Sequence, residues 1–225
     1  MAGDEGVRRG LRGRALSGVV WAALLLGLWL WARDITEGVT GGFSLGEAPA
    51  AGRPSGDGPP MPAAHDPVDG TARPVQLDVA GLGIHARLVP RPLDRGGAVT
   101  APPYATPGVA GWYRDGPTAG EEGVAVLVGH VDTDRKPAVF YPLSSARPGS
   151  RVEVTRGDGL VAEFTVESTE VVGRAEFDAA EVYGPREEGR AELRLLTCGG
   201  SFDREARAYT SNVVVSAYLT GTRRV

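Results

Sequence analysis

Residues 151–168 read RVEVTRGDGLVAEFTVES. In RVEVTR, and again in VAEFTVES, apolar and polar residues alternate, the two-residue period of a strand with one buried face. Further short strand-like runs lie on either side: PVQLDVAG (74–81), HARLVP (85–90), GVAVLVGHVD (123–132), RAELRLLTC (190–198) and SNVVVSAYL (211–219), while the second of the two opening runs extends to residue 173 as LVAEFTVESTEVVG. VAVLV and VVV are unbroken apolar runs bounded by turns, suited to strands buried on both faces. Gly and Pro punctuate nearly every interval, and no amphipathic helical pattern lasts three turns. Only EFDAAEVY, Glu176 to Tyr183, suits a short helix. Many short strands in about 150 residues predict a single all-β domain, a barrel or sandwich, over 74–225. There is no internal repeat.

Upstream, the composition changes twice. From residue 33 to residue 73 the chain is dense in Pro, Gly and Ala and has no apolar period, which predicts a disordered or extended linker. His65 falls in this stretch without metal-ligating partners. Before it, Ala15 to Ala32 reads ALSGVVWAALLLGLWLWA, without one ionisable side chain. As a helix it would be about 27 Å long, close to the thickness of a bilayer core. Trp29 and Trp31 sit near its far end, where aromatic rings favour the membrane interface, and Arg8, Arg9, Arg12 and Arg14 precede it. The expectation is a basic cytoplasmic N-terminus (1–14) and an uncleaved single-pass membrane anchor (15–32), with the rest of the chain outside the cell. WLWARDITEG is a poor cleavage site for a signal peptide. A formal charge of −4, with Lys136 the only lysine, provides no basic field for nucleic acid.

The chain has one cysteine, Cys198, so no internal disulfide can form. An unpaired thiol outside the cell is either a small buried hydrophobe or kept for its chemistry. Cys198 closes an apolar run, and Gly199 and Gly200 follow, marking a strand end where scaffolds present reactive groups. A histidine is the commonest partner that activates a thiol. Of the two in the folded region, His130 leaves a buried-looking strand in the same way, whereas His85 reads as an ordinary surface histidine. Acyl transfer also needs a donor for the oxyanion, and Arg204 and Arg207 follow Cys198 closely.

LLTC behind a strand, VGHVDT some seventy residues upstream, an arginine-bearing loop and a terminal VVVSAYL strand resemble the sortases. LLTCGGSFD followed by YTSNVVVSAYL is similar, more narrowly, to the class F sortases of actinobacteria. The resemblance implies a closed eight-stranded β-barrel with short helical turns and a groove at one end. It implies a cysteine transpeptidase acting on exported proteins that carry a C-terminal LPXTG-like sorting signal. A thiolate attacks the Thr carbonyl to form a thioacyl enzyme, which an amine of a cell-wall peptide precursor resolves and water resolves poorly. Carried over, Cys198 is the nucleophile, His130 the general acid for the leaving amine, and Thr197 a residue that helps to orient the signal. Two positions depart from the family pattern. Arg194 stands where Thr-Leu-x-Thr-Cys has its first Thr, and counting back from the last strand to the family's arginine lands on Asn212. For the arginine's role Arg207 ranks first, Asn212, which can donate through its amide, second, and Arg204 third.

Neither a cofactor nor a metal is required by this chemistry. Glu121, Glu122, Glu167 and Glu170 are acidic enough to invite an ion, and read equally well as solvated positions. Other readings are an envelope cysteine peptidase or L,D-transpeptidase using the same Cys and His, and a non-enzymatic β-domain that binds peptide or wall polymer.

Overall fold

The computed structural model describes residues 60–225. The anchor expected over 15–32, the basic N-terminus and the linker as far as residue 59 lie outside the described residues. Among those described, no helix is long and apolar enough to cross a membrane. The strands are β1 (Pro74–Val79), β2 (Ile84–Arg91), β3 (Val109–Tyr113), β4 (Gly123–Val128), β5 (Arg151–Arg156), β6 (Leu160–Gly173), β7 (Ala191–Asp203) and β8 (Ala208–Arg224). They close into a barrel in the order β1-β2-β3-β4-β7-β8-β6-β5. The pairs β2/β3 and β4/β7 are parallel and the others antiparallel.

The alternation in RVEVTR places Val152 and Val154 inside the barrel, opposite Phe164 and Ala162 of β6. β4 is apolar throughout because both its faces are covered. Ala125 and Leu127 face the barrel interior, while Val124, Val126 and Val128 belong to a second apolar cluster with Leu196 and Val214. The β6/β7 connection covers this outer cluster with Phe177, Val182 and Tyr183. β8 divides in the same way, Val213 and Val215 inward and Val214 outward. The helix expected over 176–183 is one turn, α1 (Ala179–Val182), capped by Asp178, whose carboxylate accepts the Ala180 N–H at 2.8 Å.

Three features differ from the sequence reading. β3, VAGWY, was not among the expected strands; it is only five residues long and is broken by Gly111, where a Cβ would lie 2.4 Å from Arg91 Cγ. β7 continues past Cys198 to Asp203, so the glycines mark not a strand end but a shift of register between Gly199 and Phe202. Gly200, at φ 76°, takes the left-handed conformation that this bulge requires.

The third is the linker, whose last residues lie against the barrel. Tyr218 Oη donates to Pro62 O at 2.7 Å, His65 N–H to Leu219 O at 2.9 Å and Val68 N–H to Gly120 O at 2.8 Å. Arg156, 1% exposed at the inward end of β5, donates to Gly70 O at 2.6 Å and to Ala119 O at 2.9 Å, and pairs with Asp158 at 3.1 Å. Residues 62–70 therefore belong with the folded unit although they lack any apolar period. Their backbone is held by partners far away in sequence, which local composition cannot register.

Candidate active site

Val128 of β4 lies opposite Leu196 of β7, and both point to the outer face of the barrel. Side chains alternate along a strand, so the same alternation carried two residues past this pair directs His130 and Cys198 toward that face, from neighbouring chains. The Gly129 N–H donates to Leu196 O at 3.1 Å, which carries the pairing beyond the end of β4. A side chain at Gly129 would place its Cβ 2.6 Å from Phe140, so the turn into His130 needs glycine for close approach. Cys198 and His130 line one cleft of about 1080 Å³, together with Tyr104, Asp132, Arg174 and Asn212.

His130 is half-buried, and its Nε2–H donates to Pro102 O at 2.6 Å. A carbonyl can only accept, so Nε2 carries the hydrogen and Nδ1 is left to exchange a proton. Tyr104, on the same β2/β3 connection as Pro102, stacks on the ring with centroids 4.1 Å apart. Cys198 is solvent-exposed in the cleft. Desolvation by the surrounding wall pushes its thiol above the ordinary value, Arg174 opposes that shift and Asp132 adds to it. The resting side chain is thus a thiol, which must lose its proton before it can act as a nucleophile. His85 is exposed and bonds to Asp78 on β1, away from this cleft.

Thr197 also borders the cleft, yet its side chain alternates to the barrel side opposite Val213, where its hydroxyl is buried with no hydrogen-bond partner among the described residues. Asn212 stands opposite Cys198 in the β7/β8 ladder and lines the cleft. Arg207 lines it from the β7/β8 turn with φ 48°. Arg204 lies in the same turn, exposed, where the Asp203 carboxylate accepts the N–H groups of Glu205 and Ala206.

The sequence reading passed over three residues here. Arg174 follows β6 and its N–H donates to Thr210 O at 3.0 Å. Tyr209 Oη donates to Asp132 across the cleft, and this bond, then burial, push the phenol up to about 12. Asp132, two residues after His130, and Tyr209, at the start of the last strand, were visible in the sequence. Arg174 carried no such signal, because its nearness to Cys198 depends on β6 pairing with β8.

Arg194, the departure from the family pattern, anchors the roof over the outer cluster. Its guanidinium donates to Val182 O at 3.2 Å, to Gly184 O at 3.0 Å and to Glu192 at 2.8 Å. Burial alone would raise the Glu192 carboxyl. Arg194 and the N–H groups of Glu187 and Arg186 outweigh burial and hold it below the ordinary range.

Three of the four acidic positions have local partners. Glu121 accepts the Thr118 N–H at 2.6 Å, while Glu167 and Glu170 pair with Arg186. Among the described residues no group of three or more His, Cys, Asp or Glu is arranged to hold a metal ion.

Residues 77–220 match the family description Sortase domain. No curated protein matches the sequence. In fold the chain is similar to sortase A of Listeria monocytogenes, with a TM-score of 0.51 at 18% identity over 68% of this chain and 90% of that one. It is similar also to the SrtA sortase of Actinomyces oris, with a TM-score of 0.50 at 18% identity over 75% and 89% of the two chains. Sortase C-1 of the same organism gives 0.50 at 15% identity over 65% and 73%. With the family match spanning well over half the chain and the lone cysteine sharing one cleft with a histidine, this chain belongs to the sortase family.

Proposed function

We propose that this sortase is a cysteine transpeptidase that cleaves an LPXTG-like sorting signal near the C-terminus of exported proteins and transfers them to an amine of a cell-wall peptide precursor. The observation that carries this reading is the parallel β4/β7 register, which sends His130 and Cys198 into one cleft from adjacent strands. His130 Nδ1 takes the thiol proton. The sulfur attacks the Thr carbonyl carbon, a C–S bond forms and the carbonyl pair moves to oxygen. When that pair returns, the C–N bond breaks and the departing amine takes the proton from His130. The acceptor amine reverses these steps on the thioester, giving a new amide and the free thiol. Thr197 can contribute to signal binding through its backbone, and Asn212 through its amide. The apolar 15–32 segment would hold the enzyme in the cell membrane with the catalytic domain outside.

The test is incubation of the full chain, in detergent, with a panel of LPXTG-type peptides, followed by mass spectrometry. A thioacyl adduct on Cys198 and an amide product with an added amine are expected. Peptide cleavage that persists in Cys198→Ala, or no adduct with any peptide, would refute the reading.

A further inference from the structure

An oxyanion forming beside Cys198 needs a preorganised donor, and the cleft contains four long cationic side chains, Arg135, Lys136, Arg174 and Arg207. The sheet distinguishes Arg174 from Arg207. Cys198 of β7 lies opposite Asn212 of β8, and Asn212 lies opposite Val172 of β6, so the three form one row across the outer face. The Arg174 N–H to Thr210 O bond extends the β6/β8 ladder past Gly173. Two residues beyond Val172, the Arg174 side chain returns to the face that Val172 shares with Cys198. It starts two strands across and two residues along, a diagonal of about 12 Å. Arg207 lies five residues before Asn212, in the turn just ahead of β8, about 17 Å of extended chain away. Arg174 is exposed and has no carboxylate partner among the described residues, whereas Arg156, Arg186, Arg190 and Arg194 are each committed to one.

We propose that Arg174, at the end of β6, is the catalytic arginine of this enzyme, donating to the scissile carbonyl oxygen as Cys198 attacks. The assignment rests on the transpeptidase reading and deepens it. As the C–S bond forms and the carbonyl pair moves to oxygen, the guanidinium N–H groups donate to that oxyanion. They release it when the pair returns and the amine departs with the His130 proton. Asn212, between Arg174 and Cys198, is a neutral neighbour of the same oxygen. The charge of Arg174 favours the Cys198 thiolate over the thiol. The other titratable or charged groups lining the cleft are Tyr104 on the β2/β3 connection, His130, Asp132, Asp134, Arg135 and Lys136 beyond β4, Tyr183 on the β6/β7 connection, and Arg207 and Tyr209 where β8 begins.

Two measurements on the full chain test this. Arg174→Ala should lower kcat for LPXTG-type peptides about a hundred- to a thousandfold, while Arg207→Ala should lower it less than tenfold. Independently of any peptide, iodoacetamide alkylates only Cys198, the sole cysteine. Its pH midpoint should rise in Arg174→Ala and return toward wild type in Arg174→Lys, which keeps the charge but not the planar fork. Arg174→Ala with kcat within threefold of wild type, an unmoved alkylation midpoint, or an equal loss at Arg207→Ala would overturn the assignment. A wild-type chain that cleaves no peptide would fail the transpeptidase reading, and the alkylation midpoints would still decide where Arg174 acts.

Discussion

Arg194→Thr installs the residue that the family pattern carries at this position, and in this chain it should be severely destabilising. The Arg194 side chain is 3% exposed and that of its partner Glu192 1%, so the pair is desolvated on both sides. Removing the cation leaves a buried carboxylate with only the Arg186 and Glu187 N–H groups, and deleting one partner of such a pair costs about 3–5 kcal/mol. At 1.4 kcal/mol per tenfold, that is roughly two to three and a half powers of ten in the unfolding equilibrium. Val182 O and Gly184 O lose their donor as well, which loosens the β6/β7 connection above the outer cluster. The assay is urea unfolding of residues 60–225, in which Trp112, packed against the barrel core, is the sole tryptophan. Replacing both partners with leucine should recover much of the loss, since no charge is then left buried, but the two carbonyls keep it below wild type. The pH dependence has a definite sign. The Glu192 carboxyl is held below its ordinary range, so its contribution is present above its unfolded pKa and is lost as pH falls through the folded value. The gap between wild type and Arg194→Thr should therefore shrink in acid. A loss under about 1 kcal/mol, or a double variant no more stable than the single one, would refute this account.

Three further outcomes follow from the site and its surroundings. Cys198→Ala should abolish thioacyl formation, and His130→Ala should lower kcat about a hundred- to ten-thousandfold, while His85→Ala, an exposed position of β2 outside the cleft, stays near wild type in the same peptide assay. Asp132→Asn removes a negative charge that pushes the thiol up, so the alkylation midpoint of Cys198 should fall; a rise would contradict the electrostatics of the cleft. Beginning the chain at Pro74 takes Gly70 O from the buried Arg156 and Pro62 O from Tyr218, and the urea midpoint should drop by the equivalent of about 1–3 kcal/mol relative to residues 60–225.

Much of the barrel was legible because strand burial is local and periodic. RVEVTR places its valines inward whatever β5 pairs with, and VAVLV and VVV announce strands covered on both faces before the cover is known. The order of the strands left no such trace. β3 is too short and too interrupted by Gly111 to show a period, and the segment 62–70 has none at all, yet both are held by backbone hydrogen bonds to distant residues.

The site divides along the same line. That Cys198 is the only thiol, that His130 leaves an apolar run as Cys198 does, and that Arg194 breaks the family pattern are properties of the chain itself, since composition, period and motif need no partner to exist. That His130 and Cys198 open into one cleft was decided by the parallel pairing of β4 with β7. The charge beside the sulfur was decided by β6 lying against β8, which brings Arg174 from twenty-four positions upstream of Cys198 into its cleft. Strand pairing is a contest among non-local hydrogen-bond and packing partners, and the side chains that share a face of the finished sheet are known only once it is settled.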